Sequence, residues 1–542
     1  MSKSPNPQIR LKTVEPSNIR DRLADVLPYN SKPWYLTPHL LKLNLYVGVL
    51  LLSATTMGFD GSMINGLQGL DSWTDYFGNP NGTWLGLLNA AMFLGGIILA
   101  FPAAWLSDTI GRRYAIMIGI VVLTVGAAVQ GAAQNIATFI VSRFIVGLGV
   151  ELCIIPAPVL ITEIAYPTHR GKVTSLFQTC FYLGSIASSW ITFGTFHLAE
   201  STWSWRIPSI LQAFFPLVQL VGLIFVPESP RWLVSKGKLE QARAFFVKHH
   251  AGGESTHPLV DYEMRSITDH IESEVEIAGM GWPALWKTPA DRRRLALVGF
   301  TVLISQWSGN SIITYYLALV LDSIGIKDSF TKTLINGILQ IFNFFAAILG
   351  AFCVDRLGRR TLWLISCTGM LVTFTLFTAL SAVYLEGKNY DSISRAVIAF
   401  IFIFFFFYDV GVTPLTFGYP TEILPFHNRQ KGIAVANMCT TIALTFNAFV
   451  NPIAIEAITW KYYLVYVVAL IIITIVVYLF FAETKGHSLE EISEIFEGSA
   501  IVAGAYRRRY RSGESDENRF EGDKGSDDAV EETVEYSENT LN

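Results

Sequence analysis

Asp108-Thr-Ile-Gly-Arg-Arg113 recurs as Asp355-Arg-Leu-Gly-Arg-Arg360, 247 residues further along the chain. Two other pairs repeat with offsets of 259 and 255 residues between their glutamates: Thr162-Glu-Ile-Ala-Tyr-Pro167 with Thr421-Glu-Ile-Leu-Pro425, and Pro227-Glu-Ser-Pro-Arg231 with Glu483-Thr-Lys-Gly486. Long apolar segments separate these repeated motifs. A chain that repeats itself once at this period, with membrane-length segments in between, is predicted to be a duplicated six-helix unit.

The composition indicates a membrane protein. Of the 542 residues, 51% are hydrophobic and only 15% are charged, whereas soluble domains carry about 25% charged residues. Apolar runs of about 20 residues, long enough to cross roughly 30 Å of hydrocarbon, recur along the chain. We predict spans at about 42–64, 84–106, 114–133, 136–160, 173–195, 208–226, 295–321, 331–353, 361–384, 396–419, 432–455 and 461–482. The predicted fold is an all-α membrane protein with twelve transmembrane helices in two pseudo-symmetric six-helix bundles.

Basic residues in short loops predict the orientation. The loops 107–113, 161–172, 354–360 and 420–431 contain Arg and Lys, whereas 65–83 contains none. We therefore expect an integral protein of the plasma membrane with both termini in the cytoplasm. The predicted units are an N-terminal tail (1–41), a first bundle (42–226), a cytoplasmic linker with short helices (227–294), a second bundle (295–482) and a tail with an acidic, disordered end (483–542).

Several motifs occur together in the predicted spans and loops. They are the two repeated loops at 108–113 and 355–360, Ser142-Arg-Phe-Ile-Val-Gly147, Pro227-Glu-Ser-Pro-Arg-Trp-Leu233 and Glu483-Thr-Lys-Gly486. From about 42 to 496 the chain resembles the sugar porter family of the major facilitator superfamily. Gly58-Phe-Asp-Gly-Ser62 with Asn65-Gly-Leu-Gln68, and Ser305-Gln-Trp-Ser-Gly-Asn310 with Tyr315-Tyr316, resemble its fungal lactose permease and cellodextrin transporter branch. The resemblance implies the major facilitator fold and sugar transport by alternating access.

Charged residues inside predicted spans need a partner or a function, because each costs about 2.5–3.5 kcal/mol on insertion scales. Asp60 lies near the end of the first span and Arg143 early in the fourth. The resemblance implies that Asp60 accepts a coupled proton and that Arg143 favours its charged form. The alternative is a static ion pair that joins two helices. Glu151 lies eight residues after Arg143, roughly on the same helical face, and either competes for Arg143 or offers a second proton site.

Amide side chains suit sugar hydroxyls because they offer donors and acceptors. The resemblance implies sugar-binding positions at Gln178, Gln306, Asn310, Ser311, Asn343 and Phe417. Ser305 stands where the family has the first glutamine of a pair, Ser311 stands at an asparagine position, and Phe417 replaces a tryptophan. The lost glutamine and the smaller ring would leave room for a second sugar unit. Asn447 and Asn451 in the eleventh span are further candidates, and the alternative for every amide is a hydrogen bond between helices.

Charged residues at the predicted cytoplasmic helix ends repeat in both halves. They are Asp108, Arg112, Arg113, Glu163, Arg170 and Glu228 in the first half and Asp355, Arg359, Arg360, Glu422, Arg429 and Glu483 in the second. In the family such charges pair when the transporter is open outward and separate when it opens inward. The alternative is topology marking with surface pairs worth about 0–1 kcal/mol each. Asp409 matches a glutamate found near the cytoplasmic gate of several hexose carriers, and we expect a gating role for it.

The expected function is proton-coupled sugar uptake, with a disaccharide of the lactose or cellobiose type or a monosaccharide such as glucose or xylose as substrate. The alternatives are an uncoupled hexose or pentose carrier, against which Asp60 argues, and a transporter-like sugar sensor. The sequence has no nucleotide-binding Gly-rich loop and no metal-ligand pattern. We therefore expect no enzymatic activity, no cofactor and no nucleic-acid partner. The expected partners are the sugar, the proton and the lipid bilayer, and the expected functional unit is a monomer.

Overall fold

A computed structural model describes residues 33–198, 201–278, 282–387 and 391–485, together with Ile492 and Phe496. All regular structure in this part of the chain is helical, and it includes twelve long helical segments. These are α1 Pro38–Gln68, α2 Gly82–Ile110, α3 Arg112–Gly131, α4 Ile136–Ile164, α5 Arg170–Thr195, α6 Trp203–Leu223, α7 Pro289–Ser323, α8 Ser329–Leu357, α9 Arg359–Leu385, α10 Asp391–Ile423, α11 Phe426–Ile458 and α12 Tyr463–Phe480. The predicted all-α fold is confirmed. Residues 1–32 of the predicted N-terminal tail and most of the predicted tail 483–542 lie outside the described residues.

Ten stretches of the described chain are long and apolar enough to cross a membrane, and they account for eleven of the segments. The stretch Lys431–Phe480 holds most of α11 and all of α12, which are separated by the 3-10 turn Thr459–Tyr462. The remaining segment, α5, carries Ser, Thr and Gln side chains that lower its hydropathy. Its 26 residues still rise by roughly 39 Å, which is enough to cross the hydrocarbon.

Four of the segments are interrupted along their length. The interruptions separate Ile136–Ile154 from Pro156–Ile164 in α4, Trp203–Leu211 from Phe214–Leu223 in α6, Pro289–Trp307 from Asn310–Ser323 in α7, and Asp391–Phe407 from Thr413–Ile423 in α10. In α7 the break falls at Gly309, whose φ of +96° is a left-handed conformation that glycine adopts at little cost. In α10 it is a π-helical turn, Tyr408–Val412, a feature often found at functional sites.

The helices α1 and α5 approach each other at glycines. A Cβ added to Gly58 of α1 would lie 1.8 Å from the backbone oxygen of Phe181, and one added to Gly184 of α5 would lie 1.8 Å from that of Thr55. Each backbone therefore occupies the space that a side chain on the other helix would need. This close packing fixes the part of α1 that carries Asp60, two residues after Gly58.

Each half of the chain, α1–α6 and α7–α12, has an apolar core of its own. The core of the first half extends into the linker, whose helices are Pro230–Ser235, Leu239–His249 and Pro258–Ala278. Phe246 and Leu259 of the linker pack with Leu43 and Ile164 of the first half in one cluster. The linker is therefore anchored on the first half, and its three helices lie within the segment 227–294.

Candidate functional site

Gly111 and Gly358 join α2 to α3 and α8 to α9 in the same backbone conformation. Their φ angles are +108° and +88°. A Cβ added to Gly111 would lie 2.4 Å from Oε2 of Glu228, and one added to Gly358 would lie 2.7 Å from Oε2 of Glu483. In each half the chain thus turns tightly around a carboxylate. We call the end of the protein that holds these two turns the charged end.

In the first half, Glu228 accepts hydrogen bonds from the backbone N–H groups of Arg112 at 3.1 Å and Arg113 at 3.2 Å. These groups begin α3, where unpaired N–H donors and the helix dipole stabilise a carboxylate. Nε of Arg112 lies 3.3 Å from Oε2 of Glu163, and its Nη1 lies 3.2 Å from Oδ1 of Asp108. Burial raises the pKa of Glu228, and the backbone hydrogen bonds oppose that shift.

The second half repeats this arrangement. Glu483 accepts from the backbone N–H groups of Arg359 at 2.7 Å and Arg360 at 3.1 Å. Arg359 also binds Glu422 through Nε at 3.0 Å and Nη2 at 2.9 Å, a two-pronged geometry that the first half does not share. The sequence repeat is therefore a repeat of one three-dimensional charge cluster.

The other predicted charges depart from this symmetry. Nη2 of Arg170 pairs with Oε1 of Glu263 in the linker at 2.8 Å. The equivalent Arg429 reaches the backbone oxygen of Leu424 at 3.4 Å. The symmetry is broken because the linker follows only the first half. The side chain of Asp355 lies outside the described residues.

Asp60 of α1 and Arg143 of α4 are both buried inside the first half, with exposed fractions of 0% and 2%. Within the described chain neither carboxylate oxygen of Asp60 has a hydrogen-bond partner, and neither do Nε and Nη1 of Arg143. Nη2 of Arg143 lies 3.2 Å from the sulfur of Met92. The positive charge that acts on Asp60 is nevertheless that of Arg143. The pair attracts without contact, so movement of a helix or a change of protonation can alter the interaction.

Glu151 does not pair with Arg143 in the described structure. A Cβ added to Gly96 of α2 would lie 3.1 Å from Oε2 of Glu151 and 3.7 Å from Cγ2 of Thr441 on α11. Glu151 therefore lies where α4 and α2 of the first half meet α11 of the second.

The α7 break brings three predicted sugar-binding residues together. The backbone oxygen of Gln306 accepts from Nδ2 of Asn447 at 2.7 Å and from Oγ of Ser311 at 3.2 Å. The side-chain Nε2 of Gln306 donates to the neighbouring Ser305 at 3.2 Å. All four residues are buried. The interrupted helix thus exposes a backbone carbonyl around which polar side chains of α7 and α11 converge.

The remaining predicted positions are distributed over α5, α7, α8 and α10. Asn310 accepts from Thr314 at 2.8 Å, and Gln178 is half-buried on α5. Oδ1 of Asn343 is buried on α8 and has no hydrogen-bond partner in the described chain. The side chain of Phe417 lies outside the described residues. Asn451 is held by Tyr462 at 2.9 Å and Tyr466 at 2.8 Å, as an ordinary interhelical contact would be.

A network of amides and hydroxyls between the halves was missed by sequence reasoning. Nδ2 of Asn65 donates to Oδ1 of Asn336 at 3.2 Å, and Nδ2 of Asn336 donates to Ser189 at 3.0 Å. Nε2 of Gln68 donates to the backbone oxygen of Tyr315 at 3.1 Å. Asn65 and Gln68 end α1, and Asn336 lies early in α8, so these bonds join the halves opposite the charged end. No local motif indicates such pairs, since 271 residues separate Asn65 from Asn336.

Asp409 also contacts the first half. Its Oδ1 accepts from the hydroxyl of Tyr182 on α5 and from Oγ1 of Thr413 at 3.0 Å. Tyr182 was missed as well, although it lies one helical turn after Gln178 and therefore on the same face of α5. Asp409 is buried, and its second oxygen has no hydrogen-bond partner in the described chain.

Comparison with known proteins agrees with this geometry. Residues 46–496 match the family model described as "Sugar (and other) transporter". The chain is 28% identical to the low-affinity glucose transporter HXT1 of Saccharomyces cerevisiae, over 77% of this chain and 72% of that protein. It is 28% identical to the high-affinity glucose transporter of Kluyveromyces lactis, over 85% of this chain and 86% of that protein.

Among solved structures, the fold is similar to that of the xylose transporter XylE from E. coli in a partially occluded inward-open conformation. The TM-score is 0.69, and the two sequences are 20% identical over 83% of this chain and all of that one. It is also similar to XylE bound to 6-bromo-6-deoxy-D-glucose and described as a proton:xylose symporter, with a TM-score of 0.68 and 22% identity over 84% and 99% of the two chains. A family model that spans most of the chain and the twelve long helical segments of its described part lead to one conclusion. The chain belongs to the sugar transporter family of the major facilitator superfamily.

Proposed function

We propose that this protein is a sugar:proton symporter that works by alternating access. The observation that carries the proposal is the buried pair of Asp60 and Arg143, which attract each other without a direct contact. A buried carboxylate without a hydrogen-bond partner is costly as an anion, and a proton relieves that cost. Asp60 can therefore gain a proton in one conformation and lose it in another in which Arg143 approaches. The name of XylE as a proton:xylose symporter supports this proposal.

The sugar is proposed to bind between the halves, near the break in α7. Gln306 is buried beside the break, Asn343 is buried on α8, and Gln178 is half-buried on α5. The unpartnered Oδ1 of Asn343 is an acceptor for a sugar hydroxyl. Phe417 in place of a tryptophan favours a disaccharide, whereas the named relatives are glucose transporters. The proposed substrate is a neutral disaccharide or monosaccharide.

The charged end is proposed to face the cytoplasm of a plasma-membrane protein, with both termini on that side. The described conformation has Asn65, Gln68 and Asn336 joined across the halves at the opposite end. The charge clusters of Arg112 and Arg359 pair within their own halves. These contacts support a state that is closed to the outside. Transport would then break the amide network and bring the two charge clusters together.

Uptake of labelled lactose, cellobiose, glucose and xylose in transport-deficient cells tests the function. We expect one class of sugar to accumulate above its external concentration and a protonophore to abolish that accumulation. Uptake that only equilibrates, with no response to a protonophore, would show an uncoupled carrier. Normal surface expression without uptake of any of these sugars would contradict the proposal.

A further inference from the structure

A cavity of about 580 Å³ lies between the start of α1, the loop that joins α4 to α5, and the linker. Four of the chain's nine histidines line it: His39, His169, His250 and His257. Trp34 and Tyr166 add aromatic walls, and Glu254 adds a carboxylate. The volume falls within the range of about 300–1,000 Å³ typical of small-molecule pockets. None of these residues belongs to the proposed sugar or proton site.

His250 has both ring nitrogens directed at oxygen atoms. Nδ1 lies 2.5 Å from Oε2 of Glu263, and Nε2 lies 3.1 Å from the backbone oxygen of Ile164. A backbone carbonyl can only accept, so Nε2 carries a proton. Oε1 of Glu263 also binds Arg170 at 2.8 Å. His250 is therefore fixed in the cavity wall by Glu263 on one side and by Ile164 on the other.

The other histidines offer donors. Nδ1 of His257 accepts the backbone N–H of Leu259 at 3.2 Å, so this ring carries its proton on Nε2 and can donate it. Burial lowers the pKa of His169, and Lys172 adds to that shift. Both effects disfavour the charged ring, and an anion bound beside it would oppose them. A shared metal ion does not fit, because no three His, Cys, Asp or Glu side chains of the described chain are placed to hold one.

We propose that this cavity binds a molecule that carries a phosphate group, with the phosphate against the imidazoles and the rest of the molecule against Trp34 and Tyr166. The imidazoles of His39, His169 and His257 face a cavity in which Glu254 is the one carboxylate of the lining residues, while Glu263 is already paired with Arg170 and His250. This arrangement favours an anion over a cation. The volume exceeds what inorganic phosphate alone requires and fits a phosphorylated metabolite. A phosphorylated sugar and a lipid headgroup offer the same chemistry at this surface. The site itself does not depend on the proposed transport function.

The proposal implies a pH dependence of defined sign. A bound phosphate raises the pKa of the rings around it, so binding takes up protons and strengthens as the pH falls. The titratable groups that line the cavity are His39 from α1, Tyr166 and His169 from the α4–α5 loop, and His250, Glu254 and His257 from the linker. Three further charged groups contact or act on these histidines or on their partners: Arg170 and Lys172 from α5 and Glu263 from the linker. Among the lining groups, burial lowers the pKa of His169, and a bound anion would oppose that shift.

Binding of glucose 6-phosphate to the full-length protein in detergent micelles, measured by calorimetry, tests the site. Unphosphorylated glucose at the same concentration controls for the transport site, and inorganic phosphate tests the phosphate group alone. His39→Gln and His169→Gln should each weaken glucose 6-phosphate binding about tenfold, as expected for one lost charge-assisted hydrogen bond. His197→Gln is the matched control, since this exposed ring lies at the far end of α5. His169→Lys should keep binding and reduce its change between about pH 6 and about pH 7.5.

A parallel measurement in nanodiscs of phosphatidylcholine, with and without phosphatidic acid, separates the two sources. Competition between phosphatidic acid and glucose 6-phosphate, lost in His169→Gln, would place a lipid headgroup in the same site. Binding of glucose 6-phosphate without such competition would assign a soluble metabolite. If neither ligand binds, or if both bind equally to the parent and to the two glutamine variants with unchanged melting temperatures, the proposal is overturned. Sugar uptake is not part of the readout, so the outcome is independent of the transport proposal.

Discussion

The hydroxyl of Tyr182 in the first half donates a hydrogen bond to the buried carboxyl group of Asp409 in the second. Asp409 belongs to the π-helical turn of α10, and its other bonded donor is Thr413 of the same helix. The bond therefore connects α5 to the irregular part of α10 across the interface that must change during transport. Two helices that carry proposed sugar-binding residues are joined by this contact.

Replacing Tyr182 by Phe should destabilise the described conformation, because Asp409 loses its donor from the other half. We expect a loss of about 1–3 kcal/mol for a buried acceptor deprived of a partner. Asp409→Asn should cost less, since the amide oxygen still accepts from both hydroxyls. Thermal unfolding of the purified variants measures this, with Tyr478→Phe at an exposed ring as control. Equal melting temperatures for Tyr182→Phe and the control would show that the bond does not contribute.

The sequence repeat was sufficient to predict which charged residues recur at the helix ends of the two halves. Arg112 with Glu163 and Arg359 with Glu422 belong to motifs that recur at a fixed spacing, and both pairs form in the structure. The short loops fix each charged residue at its helix end, but the partners come from other segments of the same half, 63 residues apart for Arg359 and Glu422. Arg170 lies in the same motif, but its partner Glu263 comes from the linker, which is present only once. A prediction based on the sequence repeat alone could not include the pair of Arg170 and Glu263.

Contacts between distant helices were beyond sequence reasoning. Asn65 and Asn336 form a bond over 271 residues, and neither residue stands out from the other amides of the spans. The backbone carbonyl of Gln306 becomes an acceptor only because α7 is broken at Gly309. Gln306 could be proposed from the family pattern and Asn447 only as an amide of the eleventh span, whereas their mutual bond requires the helix geometry.

Gly58→Ala should impair folding, whereas Gly48→Ala on the same helix should not. The added methyl group at Gly58 would stand 1.8 Å from the backbone oxygen of Phe181, while nothing lies within 4 Å of the equivalent position at Gly48. Overpacking against a backbone costs about 1–3 kcal/mol. Thermal stability and yield of the purified variants provide the measurement. A Gly58→Ala protein as stable as Gly48→Ala would contradict the close packing of α1 and α5.

Ala substitutions at Gln178, Gln306 or Asn343 should weaken sugar binding. Each removes a partner for a sugar hydroxyl, worth about 0.5–1.5 kcal/mol per neutral hydrogen bond. Asn343 should show the clearest effect, because its Oδ1 has no protein partner in the described chain. Equilibrium binding of the transported sugar to purified protein measures the loss, with Asn437→Ala at an exposed amide as control. Unchanged affinity in all three variants would place the sugar elsewhere.

Glu422→Gln should shift the transporter toward the inward-open state and reduce accumulation more than binding. In the described conformation Glu422 pairs with Arg359 of its own half at 3.0 and 2.9 Å. We propose that in the outward-open state the two charge clusters also meet across the halves, so loss of this charge weakens a contact that only the outward-open state makes. Such a loss changes the populations only if the cluster differs between the two states. Labelling of cysteines introduced at the charged end measures the shift, and Glu240→Gln on the exposed face of the linker is the control. Unchanged labelling would favour the topology-marking interpretation.

Asp60→Asn should abolish accumulation against a gradient while sugar binding and exchange continue. The substitution keeps the size and much of the hydrogen-bonding capacity of the side chain but removes the group that titrates. It also removes the charge that attracts the buried Arg143, so uptake should no longer respond to pH. Reconstituted vesicles with an imposed proton gradient separate accumulation from exchange, and Glu151→Gln is the matched comparison. If Asp60→Asn still concentrates sugar and Glu151→Gln does not, the coupled proton binds at the junction of α2, α4 and α11 instead.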